Sequence, residues 1–227
     1  MIRAIVGAGG KTSLIRKMAN EYREQGRKVF VTTSTHMFVE NDTLVTEDVD
    51  AILQELESKG YVMAGSSCGE KIKALPLEVY EEVCKYADEV LIEADGSKHL
   101  PLKFPNDTEP VIYENVEEII VVCGLHGLGR AASEVVHRLE LAKKDIIQKA
   151  GLKWKAFKLG YYDEHKDKLS EEQKKSLEKA KNYEIDKITQ SDLLTLSIAT
   201  KNAFNSSFFF SSFSSFINPV SFILFVN

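Results

Sequence analysis

The sequence predicts an α/β fold in which a mostly parallel sheet is flanked by helices. Two observations carry that prediction. Apolar runs of strand length alternate with amphipathic segments of helical length along most of the chain, as in successive βαβ units. Near the start, Ala4-Ile5-Val6 gives way to Gly7-Ala8-Gly9-Gly10-Lys11-Thr12-Ser13 and then to a helical pattern. A strand, a glycine loop and Lys-Thr opening a helix present backbone N–H groups and a helix N-terminus to an anion. The expected architecture is therefore P-loop NTPase-like.

The elements follow in order. Ile2–Val6 reads as the first strand. A helix runs from Thr12 to about Gln25, with Leu14, Ile15, Met18, Ala19 and Tyr22 on one face and Gly26 ending it. Lys28–Thr33 is apolar enough for a buried parallel strand. Glu47–Lys59 reads as a helix closed by Gly60, and Tyr61–Ala64 as a short strand. Pro76 opens a helix to about Tyr86. Glu89–Glu93 and Glu118–Cys123 are further strands, and helices are expected over Ser133–Lys149, Ser170–Lys181 and Ser191–Ala199. The stretch from Lys98 through Pro110 shows neither period and reads as a long functional loop, a lid or substrate-binding segment.

Composition narrows the function classes. The 227 residues are 44% hydrophobic and 28% charged, enough to bury a core and keep a polar surface. A formal net charge of −5 without a basic stripe argues against a nucleic-acid partner. Three cysteines without metal-type spacing suggest a reduced, cytoplasmic protein. With a strand beginning at Ile2, no signal or transit peptide is expected.

The last part of the chain departs from this uniformity. Residues 1–202 read as one nucleotide-binding domain and 203–227 as a Ser/Phe-rich tail without charge, holding eight of the twelve phenylalanines. Its serines and Pro219 argue against a membrane anchor, and a natural tail of this kind would invite β-aggregation. It reads best as damaged sequence, from a frameshift or a truncated gene fragment.

Four polar clusters fall at strand ends, where a parallel sheet binds ligands. In the first loop Lys11 is suited to the β/γ-phosphates and the Thr12 hydroxyl to Mg²⁺. Ile5 stands where the strict pattern wants glycine, and Gly7 fits a variant spacing. Thr32-Thr33-Ser34-Thr35-His36-Met37 follows, half of it readable as plain strand. Glu93-Ala94-Asp95-Gly96-Ser97 closes an apolar strand, with two acids on one face if the strand continues. Either acid fits the magnesium role from the residues alone. The fourth is Lys98-His99-Leu100-Pro101-Leu102-Lys103 running to Glu109-Pro110-Val111-Ile112. Further on, Gly124–Arg130 can line the same edge, while Val136-His137-Arg138 reads as structural, with Arg138 in an ion pair.

These segments together resemble the YqeC family, in order across roughly residues 2–145. The resemblance rests on Gly7–Thr12, Thr32–Met37, Glu93–Lys98 with Leu100-Pro101-Leu102-Lys103, Glu109-Pro110-Val111-Ile112 and Val136-His137-Arg138, with Ile188-Thr189 matching more weakly. It implies a nucleotide-binding accessory protein in the maturation of a selenium-dependent molybdenum hydroxylase. Such proteins usually continue into a strand and an Asn-Lys-x-Asp-like base-reading segment, whereas Phe222–Val226 here stops on Asn227. The expectation is a chain cut inside that motif.

The resulting assignment is a slow ATPase or GTPase. Gly7, Gly9, Gly10, Lys11, Thr12 and Ser13 cradle phosphate, and Thr12 and Asp95 hold Mg²⁺. Lys11, Glu93 and Asp95 serve the chemistry, with Glu93 ordering the water. Thr35, His36 and Lys98 face the last phosphate or a substrate. A small-molecule kinase and a non-hydrolysing nucleotide-gated scaffold fit the same residues. A molybdenum hydroxylase or its maturation proteins are the expected partners, with no membrane association.

Overall fold

The computed structural model describes residues 1–183, 187–188 and the backbone of 220–226. Strand β1 (Ile2–Gly7) leads through the glycine loop into α1 (Lys11–Glu24), followed by β2 (Val29–Thr33), β3 (His36–Phe38) and β4 (Thr43–Val45). Helix α2 (Val49–Lys59) precedes the hairpin of β5 (Tyr61–Cys68) and β6 (Lys71–Lys73), then α3 (Leu77–Cys84) and β7 (Glu89–Glu93). Next come β8 (Leu102–Lys103), β9 (Glu118–Gly124), the single turn α4 (Ala132–Val135) and β10 (Val136–His137). Helices α5 (Leu139–Lys149), α6 (Trp154–Lys158), α7 (Tyr161–Glu164) and α8 (Glu171–Asn182) complete the body, and β11 (Val220–Val226) is the last strand.

The main sheet has the order β11-β9-β1-β7-β2-β5-β6-β3, with β4 also pairing β5. From β11 to β5 every neighbouring pair is parallel; β6 and β3 extend the edge antiparallel. The expected α/β fold, a mostly parallel sheet flanked by helices, is what forms. Buried β2 and β7 are apolar on both faces because helices cover both. On one face Ile15 and Ala19 of α1 pack on Ile5, Val29, Val31 and Leu91. On the other, Ile52, Leu56, Val79 and Tyr80 of α2 and α3 pack on Ala4, Val6, Phe30 and Ile92.

That division fixes where a ligand can sit. The chain leaves β1 over the α1 face, but leaves β7 over the opposite face, where Ile112, Tyr113 and Val116 join the α2/α3 cluster. Adjacent strands whose connections depart on opposite faces open a crevice at their carboxyl ends. Here those ends carry the glycine loop and the acids Glu93 and Asp95.

Several expectations are corrected. The Ser133–Lys149 helix is broken: Val136 and His137 form β10, paired parallel with β8, and Arg138 turns the chain with φ 65°. The adjacent β-branched Val135 and Val136 disfavour helix and favour pairing. The Lys98–Pro110 segment is correspondingly not wholly irregular, since Leu102 and Lys103 are that partner strand. Tyr61–Ala64 extends to Cys68, where Gly69 turns it into β6. Within the Ser/Phe-rich segment, Val220–Val226 adds to β9 as an edge strand. The helix expected over Ser191–Ala199, the tail residues 203–219 and Asn227 lie outside the described residues.

Candidate functional site

Nearly all the residues singled out from sequence meet in one open cleft of about 940 Å³ at the carboxyl ends of β1, β7 and β2. Gly9, Gly10, Lys11, Thr12, Ser13, Thr35, His36, Glu93 and Lys98 line it. Gly7 and Asp95 do not line it; they lie beneath, and their geometry explains why the loop has its shape.

The loop requires its glycines. A Cβ on Gly7 would lie 2.2 Å from the Val122 carbonyl oxygen, and one on Gly9 2.6 Å from both Gly124 Cα and the Pro101 oxygen. Both have positive φ, 94° and 79°. Strand β9 and the 101 segment therefore press directly against the loop backbone, with Ala8 N–H donating to the Val122 carbonyl (2.9 Å). The N-terminus of α1 follows at Gly10, and no side chain caps it. Its first-turn N–H groups are the orphan donors that give a helix start its affinity for anions.

Lys11 and Asp95 set the loop from below. Lys11 Nζ donates to the Gly7 carbonyl at 2.7 Å and lies 3.0 Å from Asp95 Oδ1. Asp95 Oδ2 accepts from Gly7 N–H at 3.0 Å and also faces Lys103 Nζ at 3.0 Å. All three side chains are at most 3% exposed. Asp95 is thus a buried anion shared between two lysines and the loop backbone.

Glu93 does something different. Its Oε2 accepts from the Thr12 hydroxyl at 2.8 Å, bringing the end of β7 onto the first turn of α1. Burial pushes the Glu93 carboxyl above its ordinary range, against the opposing pull of Lys11 and of the Thr12 hydrogen bond. The structure therefore separates the acids that sequence left interchangeable. Glu93 opens on the cleft beside Thr12, whereas Asp95 is committed to the lysines beneath the loop.

The hydroxyl run is sorted the same way. Thr32 Oγ1 donates to the Ala64 carbonyl, Thr33 Oγ1 to the Glu93 carbonyl and Ser34 Oγ to the Val111 carbonyl. Those three tie strands and the 111 segment together. Thr35 Oγ1 is buried at the cleft without a partner among the described residues, and His36 beyond it is exposed.

Several lining residues were not assigned from sequence. Arg16, one turn into α1, is paired with Glu40 across the rim. Phe38 stacks on His99, ring centroids 5.7 Å apart, and Lys71 Nζ lies 4.5 Å above the Phe38 ring. The exposed–buried–exposed alternation His36-Met37-Phe38 and the Lys71-Ile72-Lys73 pattern signal the edge strands that bring these residues here. Arg138 is in an ion pair, as expected: its Nη2 donates to Glu109 Oε2 at 2.7 Å, and Lys103 Nζ donates to the same oxygen at 2.8 Å. Burial alone would raise the Glu109 carboxyl, but the two cations outweigh it and hold it below the ordinary range.

A sequence profile of the family described as "YqeC protein" matches residues 3–140. The chain belongs to the YqeC family. A relative from Escherichia coli (strain K12), described as "Uncharacterized protein YqeC", is 33% identical over 151 residues. That match covers 60% of this chain and 56% of the relative, so the likeness spans little more than half of the relative's length. No solved structure matches significantly. The YqeC match encloses the glycine loop, both acids and Arg138, but not α6 to α8 or β11. Among the described residues no helix is long and apolar enough to cross a membrane.

Proposed function

We propose that the protein binds a magnesium nucleotide, ATP or GTP, in this cleft and hydrolyses it slowly. The observation that carries the reading is the 2.8 Å contact between the Thr12 hydroxyl and Glu93. A hydroxyl on the first turn after a glycine loop, meeting a carboxylate at the end of the neighbouring parallel strand, is the arrangement a P-loop site uses for its metal. The oxygen donors suit Mg²⁺, which takes one or two protein oxygens and completes its shell with water and phosphate. Thr12 and Glu93 would hold it, where Asp95 had been expected, because both Asp95 oxygens already face buried partners. Bound there, the ion would neutralise charge on the phosphates.

The chain's own residues do the remaining work. Lys11 would exchange its contact with the Gly7 carbonyl for phosphate oxygens, while Asp95 keeps the ammonium aimed. The amides of Gly9 to Ser13 and the start of α1 receive phosphate oxygens. Thr35, His36 and Lys98 lie where a terminal phosphate or an acceptor would project. By its motif resemblance the protein serves maturation of a selenium-dependent molybdenum hydroxylase, in the cytoplasm, with that enzyme or its maturation proteins as partners.

Calorimetric titration of ATP and GTP, with and without Mg²⁺, tests the binding step on wild type and Lys11→Ala. Loss of a charge-assisted hydrogen bond weakens binding by about 1.5–3 kcal/mol. Unchanged affinity in Lys11→Ala would end the phosphate-cradle reading. Loss of the gene without loss of hydroxylase activity or selenium content would end the pathway assignment. A small-molecule kinase is favoured as second reading by the cations beyond the loop, and phosphate appearing on an added acceptor rather than in solution would select it.

A further inference from the structure

One wall of the cleft carries a second concentration of positive charge, on the 96–109 segment and at the start of α5. Among the described residues only three non-glycines have positive φ: Lys98 (50°), His99 (60°) and Arg138 (65°). All three line this cleft. Backbone in the left-handed region is unfavourable for residues with a Cβ, and it persists where surrounding structure imposes it.

Arg138 is placed against ordinary stability rules. It occupies the N-cap of α5 with no side-chain cap, where a helix favours an anion. It is held there by a chain of alternating charges. Lys11 faces Asp95 at 3.0 Å, Asp95 faces Lys103 at 3.0 Å, Lys103 meets Glu109 at 2.8 Å, and Glu109 meets Arg138 at 2.7 Å. Each carboxylate in the chain is shared by two cations, so neither fully neutralises its neighbours.

Two donors remain over. Arg138 Nη1 is buried without a hydrogen-bond partner among the described residues. Lys98 is exposed and makes no hydrogen bond or ion pair among them. His137 reports the local potential: burial first, then the charges of Arg138, Lys103 and Lys98, hold its imidazole below its ordinary pKa. Only Glu109 pulls the other way.

We propose that Arg138, Lys98 and His137 form a second anion subsite in the cleft, which takes the phosphate group of a small-molecule second substrate. With Nη2 already donating to Glu109, Nη1 is the guanidinium nitrogen left without a partner among the described residues. A phosphate group, whose several oxygens can accept from separate donors at once, fits cations that line one cleft but lie on different segments. The subsite deepens the nucleotide reading and rests on it for the identity of the first site.

Inorganic phosphate binding to the full chain, measured by calorimetry in the absence of nucleotide, tests the proposal. Wild type takes up two phosphates and Lys11→Ala one. Adding Arg138→Gln or Lys98→Gln to Lys11→Ala weakens the remaining site at least tenfold. Lys98 is exposed and makes no bond among the described residues, and circular dichroism melts check that neither the Lys98 nor the Arg138 substitution acts through folding. No phosphate bound to a folded Lys11→Ala, or a residual site indifferent to both further substitutions, overturns the subsite. If the residual site behaves as stated but wild type binds no nucleotide, the nucleotide reading fails and the subsite stands.

Discussion

Replacing each of the two neighbouring acids by its amide should give opposite results. Asp95 is 1% exposed, accepts from the Gly7 amide and lies 3.0 Å from two lysines that are themselves almost fully buried. Asp95→Asn keeps the shape but leaves Lys11 and Lys103 without their shared anion. Removing one partner of a buried ion pair costs about 3–5 kcal/mol. Lys103 retains Glu109 and Lys11 retains the Gly7 carbonyl, so the low end, about 3 kcal/mol, applies. In a domain of this size that lowers Tm by about 6–12 °C.

Glu93→Gln should behave otherwise. The folded-state pKa of Glu93 is raised, so the native state binds more protons than the unfolded one between the two pKa values. Ionising it as pH rises through that window lowers stability. The amide removes this loss, and its carbonyl can still accept from Thr12. At neutral pH Glu93→Gln should be at least as stable as wild type. Its deficit should appear only in nucleotide affinity with Mg²⁺ present, by about tenfold or more for a lost charged contact. Differential scanning fluorimetry and nucleotide titration at graded Mg²⁺ read both effects. A stable Asp95→Asn without Mg²⁺ dependence, beside a destabilised Glu93→Gln, would refute the division of labour.

Further outcomes follow from the same geometry. Thr12→Ala should lose Mg²⁺-dependent nucleotide affinity, and Thr12→Ser should retain it because the hydroxyl is what meets Glu93; equal loss in both, by calorimetry, would contradict this. Gly7→Ala places a Cβ 2.2 Å from a strand carbonyl and should lower stability in urea unfolding by at least the cost of a strained residue, about 1–3 kcal/mol. Glu109 has a lowered folded pKa, so its contribution to stability is complete above the ordinary carboxylate range near 4.5 and is lost as pH falls through the lowered value. Glu109→Gln should therefore lose more stability at pH 7 than at pH 3, read as the shift in Tm at each pH. With the Cys84 thiol pushed up to about 11 and Cys123 to about 12 by burial, iodoacetamide at pH 8 should modify exposed Cys68 first, as peptide mass mapping would show.

The sequence was legible wherever a signal lies within a few residues. The apolar runs of β1, β2, β7 and β9 and the helical faces of α1 and α2 declare themselves by period. The glycine loop Gly7–Thr12 declares itself by composition. The break at Val136–Arg138 was not legible, because a two-residue strand gains its stability from Leu102 and Lys103 and leaves no local period. The edge strands β3 and β6 carrying Phe38 and Lys71 were missed for a related reason, since three residues each are too short to stand out.

By itself, then, the sequence determined a mostly parallel α/β sheet with a glycine loop at one strand end and a pair of acids at another. Tertiary structure alone decided which partners each acid meets. Glu93 and Asp95 are two positions apart, yet one meets Thr12 and the other Gly7, partners 81 and 88 positions away. Charge and residue type are local properties of a chain. The burial, shared cations and hydrogen bonds that give a carboxylate its role depend on strands brought together from distant parts of it.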